Sequence, residues 1–120
     1  MSSEKWVEKA DRDLKLAKLA MENDILDYAL FHAQQAVEKY LKSFLVKNKA
    51  DFRKRHDLFY ILGMCIDIDE EFRKLLELDL EIFENAIAVR YPSDFYPEHN
   101  TIKKAIKIAE RVREFVRKKL

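Results

Sequence analysis

The residues best suited to chemistry cluster in one short stretch: Arg90, Tyr91, Asp94, Tyr96, Glu98 and His99. An arginine there could hold a phosphate through two parallel N–H bonds, and a histidine could donate or accept a proton near neutral pH. Tyr91, Phe95 and Tyr96 could stack on a nucleobase. The plainer reading is that Arg90 caps the helix before it while the aromatics close a core or a dimer contact. A second group, His32, Gln35, Glu38, Lys39 and Lys42, contains members three and four residues apart. Such spacing puts His32, Gln35 and Lys39 on one helical face, with Lys42 extending it. Its plainer reading is a solvated or interhelical hydrogen-bonded face. His56 is a third candidate, but next to Asp57 at a helix start it reads first as part of a cap.

Other chemistries find little support. The chain has 1 glycine, Gly63, so no glycine-rich loop can cradle phosphates. No motif for a zinc hydrolase, a calcium loop or a nucleophile elbow occurs. The 1 cysteine, Cys65, sits in an apolar run with no cation beside it to favour a thiolate, and reads as a small core residue. No Cys/His cluster has zinc spacing, so no metal or other cofactor is expected.

These groups must be positioned by helices. With 1 Gly and 2 Pro in 120 residues, the chain is poor in helix breakers. A first helix is expected over about Ser3–Glu22, with Trp6, Ala10, Leu14, Ala17 and Met21 on one face and Val7, Leu16 and Ala20 widening the stripe. A second, over about Ile25–Asn48, is apolar on more than one side and belongs at the centre of a bundle. Lys49–Arg55 reads as a loop, followed by a short helix from Asp57 to about Cys65. A fourth helix is expected over about Asp69–Val89, with Phe72, Leu75, Leu76, Ile82, Phe83, Ala86 and Val89 inward. Asp79 falls near that apolar face, where a kink or break is possible. Pro92 and Pro97 then make the segment between Arg90 and His99 an irregular loop. Asn100 or Thr101 caps a fifth helix, whose stripe is Ile102, Ala105, Ile106, Ala109, Val112 and Val116. The expectation is therefore all-α: a single domain over residues 1–120, an up-and-down bundle of about five helices, four long and one short.

Composition bounds the partners. Hydrophobic residues make up 48% and charged residues 38%, which suits a folded, well-solvated domain. A net charge of +1 supplies no global field for nucleic acid. Cations are nevertheless concentrated at 42–55 and 103–119, against an acidic run at 67–84. These runs read either as helix faces that pair with one another or as a basic surface for phosphates. No apolar stretch of about twenty residues and no signal-like N-terminus occurs, so no membrane is expected and a cytoplasmic protein is. Abundant Lys and Glu with few Gln, Asn and Gly hint at a thermophilic source.

At these residues the chain resembles the HEPN family. The run Phe31-His-Ala-Gln-Gln-Ala-Val-Glu-Lys-Tyr-Leu-Lys42 is similar to that family's signature second helix. Trp6, Ala10, Asp13-Leu14 and Ala17, the step Arg55-His-Asp-Leu58, and Arg90-Tyr-Pro92 follow its pattern in the same order. The resemblance implies a helical homodimer that binds nucleotides, paired with a minimal nucleotidyltransferase in a toxin–antitoxin-like system. Nucleotide binding is expected at His32, Gln35, Lys39, Lys42, Arg90 and Tyr91. The family also includes metal-independent endoribonucleases, whose motif is an arginine followed by a histidine after four to six residues. Arg90 and His99 are the matching catalytic pair, but here eight residues separate them, two of which are prolines. That departure places phosphate binding ahead of cleavage. A third reading is a structural interaction domain whose polar loop only completes a dimer.

Overall fold

A computed structural model describes residues 2–52, 56–88 and 91–120. Four α-helices and two 3-10 segments succeed one another, with no strand among the described residues. Helix α1 spans Ser3–Glu22 and α2 spans Leu26–Lys47, both within a residue or two of the ends expected from hydrophobic period. Ser2 caps α1 by accepting a hydrogen bond from the Lys5 amide. The two helices form a tight antiparallel hairpin around Asn23 and Asp24, and Asp24 takes the left-handed φ of 59° that the turn requires. Small residues allow the close approach: Ala10 and Ala17 on α1, and Ala29, Ala33 and Ala36 on α2, are all fully buried.

Helix α2 is the axis of the molecule. It packs against α1, α3, α4 and the second 3-10 segment. Val37, Tyr40, Leu41 and Leu45 are buried along it. Helix α3, Leu58–Ile68, begins at Asp57, whose carboxylate accepts from the amides of Phe59 and Tyr60. It runs three residues past the expected end at Cys65. Helix α4, Ser-free and strongly amphipathic, spans His99–Arg117 and buries Ile102, Ala105, Ile106, Ile108, Ala109, Val112 and Val116. It begins before Asn100 and Thr101, the residues expected to cap it.

The expected fourth α-helix is replaced by something tighter. Glu70–Glu77 and Leu80–Phe83 are 3-10 segments, separated at Leu78 and Asp79 and followed by turns over 84–87. The burial pattern explains why. Phe72, Leu75 and the half-buried Leu78 recur every three residues, as do Leu80, Phe83 and Ala86. A period of three is that of a 3-10 helix, not of an α-helix. The step from Leu78 to Leu80 is only two residues, so the two runs cannot share one helix, and Asp79 at the junction turns out to bond Lys104 at 2.8 Å. Leu76, expected inside, is 49% exposed as a result. Val89, also expected inside, lies outside the described residues. Phe72 packs between Phe44 and Phe115 at ring distances of 4.4 and 4.9 Å, tying this segment to α2 and α4. Among the described residues no helix is long and apolar enough to cross a membrane.

Candidate functional site

Two polar stripes run along α2. Gln34, Glu38 and Lys42 are four residues apart, so they stack on one face. All three are at most 3% exposed. Lys42 Nζ donates to Glu38 Oε2 at 2.9 Å, and Gln34 Nε2 donates to Glu38 Oε1 at 3.3 Å. Gln35 extends the chain by donating to Gln34 Oε1 at 2.7 Å. His56, arriving from just before α3, places Nδ1 3.2 Å from Glu38 Oε2 and 3.4 Å from Lys42 Nζ. The rings of Trp6 and Phe52 lie 5.6 and 5.1 Å from the Lys42 ammonium and supply cation–π contact. A buried ion pair persists only when its remaining lone pairs and protons are met in this way. Lys42 is thereby turned inward, and its charge is taken up by Glu38 rather than presented to a ligand.

His56 also lines a pocket of about 260 Å³, shared with Gln34, Phe59, Phe83, Glu84 and Ile87. Its imidazole is 63% exposed although its Nδ1 reaches a carboxylate only 2% exposed. The sequence reading of His56 as a cap is met instead by Asp57.

The second stripe centres on Asp13 of α1, which is 7% exposed. Its carboxylate meets His32 Nδ1 at 2.8 Å and Lys39 Nζ at 2.5 Å. His32 and Lys39 are therefore brought together, as their spacing predicts, but on an internal acid. A third link joins α1, α2 and α4: Asp11 accepts from the Tyr40 hydroxyl and from Arg113 Nε at 2.9 Å. Burial first, and the Asp11 carboxylate second, push the Tyr40 hydroxyl well above the ordinary phenol range. The hydrogen bond from Arg113 to Asp11 in turn raises the guanidinium above its ordinary value. Sequence reasoning passed over Asp11, Asp13 and Arg113 as sites. Asp13 did carry a signal, because a carboxylate three residues from Ala10 and four from Ala17 falls on the buried face of α1. Between α1 and α4 a wider groove of about 460 Å³ carries Lys15, Lys18 and Arg113 against Asp11, Glu110 and Glu114. The Lys18–Glu110 pair at 3.0 Å shows the two signs neutralising each other there.

The irregular loop is where expected. Tyr91 and Tyr96 are 66% and 74% exposed, Phe95 is exposed, and Pro97 is buried. His99 is not held by the loop, as the sequence suggested, but is the exposed first residue of α4. The side chain of Glu98, at the N-cap, makes no capping hydrogen bond. His99 does not line the His56 pocket. Arg90, common to the expected catalytic and nucleotide-binding sets, lies outside the described residues, as do Arg53, Lys54 and Arg55.

With the geometry in hand, three comparisons place the chain among known proteins. The family model of the HEPN domain matches residues 3–119. The "Putative toxin MJ1304" of Methanocaldococcus jannaschii is 22% identical over 133 aligned positions, spanning 95% of this chain and 88% of that protein. The crystal structure of ST0689, an archaeal HEPN homologue, superposes with a TM-score of 0.66 at 21% identity, covering 98% of this chain and 97% of that one. At that identity the structural match speaks for the fold alone.

Proposed function

The chain belongs to the HEPN domain family, and on that premise we propose that it is the toxin-like member of a two-protein system: a homodimer that binds nucleotide and RNA phosphates and is paired with a minimal nucleotidyltransferase. The observation that carries this reading is the loop before α4. It presents Tyr91, Phe95 and Tyr96 to solvent immediately ahead of a helix start that its N-cap residue, Glu98, leaves without a side-chain cap. Exposed aromatics offer sequence-tolerant stacking to bases. The first amides of a helix and its dipole favour an anion at the same end. In this reading Arg90 serves as the bidentate phosphate ligand, with His99 as a further donor. His32, Gln35 and Lys39 of α2 are the further nucleotide ligands of this reading, the first and last of them paired with Asp13. The name of the M. jannaschii relative supports the toxin-like role.

Calorimetric titration with ATP, GTP and a short single-stranded RNA tests the reading. Heat of binding that weakens in Arg90→Ala supports it; no heat at high protein concentration removes the nucleotide and RNA part. Sedimentation of the free chain tests the dimer. Co-purification with a nucleotidyltransferase encoded in the adjacent reading frame tests the pairing.

A second reading extends binding to cleavage, with Arg90 stabilising charge on the phosphate and His99 moving the 2′-hydroxyl proton. It is favoured by the position of His99 on α4, since a helix fixes an imidazole better than a loop does. Cleavage in the presence of a chelator, lost in His99→Ala, is its expected signature.

A further inference from the structure

The cleft between the start of α3 and the second 3-10 segment is apolar inside and open to solvent. Phe59 comes from the first turn of α3, Phe83 from the 3-10 segment and Ile87 from the turns after it, and all three line the cleft. Phe83 is buried, but Phe59 and Ile87 remain 47% and 39% exposed. Large apolar side chains left open at the lips of a cleft mark a contact with another molecule. At about 260 Å³ the cleft is smaller than the roughly 300–1,000 Å³ of a drug-sized ligand site, so it has room for one large side chain.

The charge around it has one sign. Asp57 and Glu84 line the cleft, and no lysine or arginine among the described residues does. Elsewhere in the acidic run the chain neutralises its own carboxylates: Asp69 and Glu71 pair with Lys119, and Asp79 pairs with Lys104. Glu84 is exposed and has no ion pair among the described residues. Asp57 uses Oδ1 to accept from the amides of Phe59 and Tyr60, which leaves Oδ2 for a partner. Such a rim repels phosphate, so neither RNA nor an anionic lipid surface suits it. A cation with an apolar stem suits it well. Arginine lays its methylene stem along apolar surface, stacks its planar guanidinium on an aromatic face and directs a fork of N–H donors at carboxylates. It is also among the side chains that most often anchor protein–protein contacts.

We propose that this cleft is a docking site for a protein partner, which inserts an arginine flanked by apolar residues. The arginine stem lies between Phe59, Phe83 and Ile87, and its guanidinium meets Asp57 and Glu84. No residue from 91 to 99 lines the cleft, so the surface is distinct from the loop proposed for RNA, and the inference does not depend on that proposal.

The test titrates the isotope-labelled full chain with the peptide acetyl-Leu-Arg-Leu-amide and reads amide shifts by NMR. Saturable shifts centred on Asp57, Phe59, Glu84 and Ile87 are expected. Citrulline in place of the peptide's arginine keeps the shape and removes the charge. It is expected to weaken binding about tenfold or more, the factor for one lost charge-assisted hydrogen bond. Asp57→Asn combined with Glu84→Gln is expected to weaken the arginine peptide to the same degree, since asparagine still caps a helix. Glu84→Gln alone, at an exposed position, carries the same expectation should the double variant fail to fold. Absence of saturable shifts at these residues with millimolar peptide overturns the proposal. So does a citrulline peptide that binds as tightly as the arginine peptide, or a folded variant that binds the arginine peptide like wild type. Shifts at the same residues on adding single-stranded RNA give the cleft to RNA and also overturn it.

Discussion

Removing Glu38 alone strands the Lys42 ammonium in a nearly dry interior. Breaking a buried pair from one side costs about 3–5 kcal/mol, whereas replacing both partners by apolar residues of similar volume is often close to neutral. Urea denaturation of Glu38→Ala is therefore expected to show a loss of that size, and Glu38→Leu combined with Lys42→Met a much smaller one. Cys65 gives a second expectation at this scale. Burial pushes its thiol from an ordinary 9.0 up to about 12. A folded value above the unfolded one means that the native state keeps a proton that the unfolded state releases. This contribution to stability is complete below pH 9 and is lost as pH rises from 9 towards 12, and Tyr40 shifts in the same sense. Native protein is expected to react slowly with a thiol reagent at pH 8 and fast after unfolding. Single residues were legible in the sequence where the partner is local, as Asp57 is to the first amides of α3. They were not legible where the partner is 18 or 19 residues away, as Glu38 is from His56 and Asp13 from His32. Those pairs exist only because helices dock in a given rotation, which no periodicity within one helix encodes.

Among the elements, α1, α2 and α3 were readable because their apolar residues keep an unambiguous period between three and four. The segment after α3 was not, because Phe72, Leu75, Leu76 and Phe83 fit an α-helix about as well as a 3-10 helix until Leu76 is seen outside and Leu80 inside. Paired substitutions separate the two. Leu76→Lys is expected to change stability by no more than about 0.5 kcal/mol, as exposed positions do. Leu80→Ala is expected to cost about 2–5 kcal/mol, as core truncations do; a continuous α-helix over 69–89 would make Leu76→Lys the damaging one. Helix α3 offers a stabilising change. A Cβ added at Gly63 meets nothing within 4 Å, so Gly63→Ala gains the helix propensity of alanine, about 0.8–1 kcal/mol. A raised Tm in calorimetry is the expected result. At the other end of the segment Lys119 bonds Asp69 at 2.8 Å and Glu71 at 3.3 Å. The Lys119 ammonium holds the Asp69 carboxyl below its usual range, with the Glu71 amide helping, and so ties the end of α4 to the start of the 3-10 run.

At the scale of the molecule, the HEPN bundle places its buried charged residues against one another. Asp13 and Glu38 absorb the α2 cations that sequence alone offered as ligands, and Asp11 takes up Arg113 of α4. The loop ahead of α4, with its exposed Tyr91 and Tyr96, is the surface proposed for RNA. The loop was legible because two prolines and three aromatics interrupt an otherwise helical chain; the His56 pocket was not, because it is assembled from α2, the start of α3 and the second 3-10 segment. With a net charge of only +1, affinity must come from local contacts, and each phosphate neutralised adds to the salt dependence. In the proposed function the chain binds RNA through Arg90 and the loop that follows it in sequence. The most direct measurement is fluorescence anisotropy of a labelled single-stranded RNA titrated with wild-type protein and with Arg90→Ala at two salt concentrations. Saturable binding that weakens with salt, and that is lower in Arg90→Ala with a shallower salt dependence, is the expected result. A flat titration, or an Arg90→Ala curve that overlays the wild type at both salts, would contradict the claim.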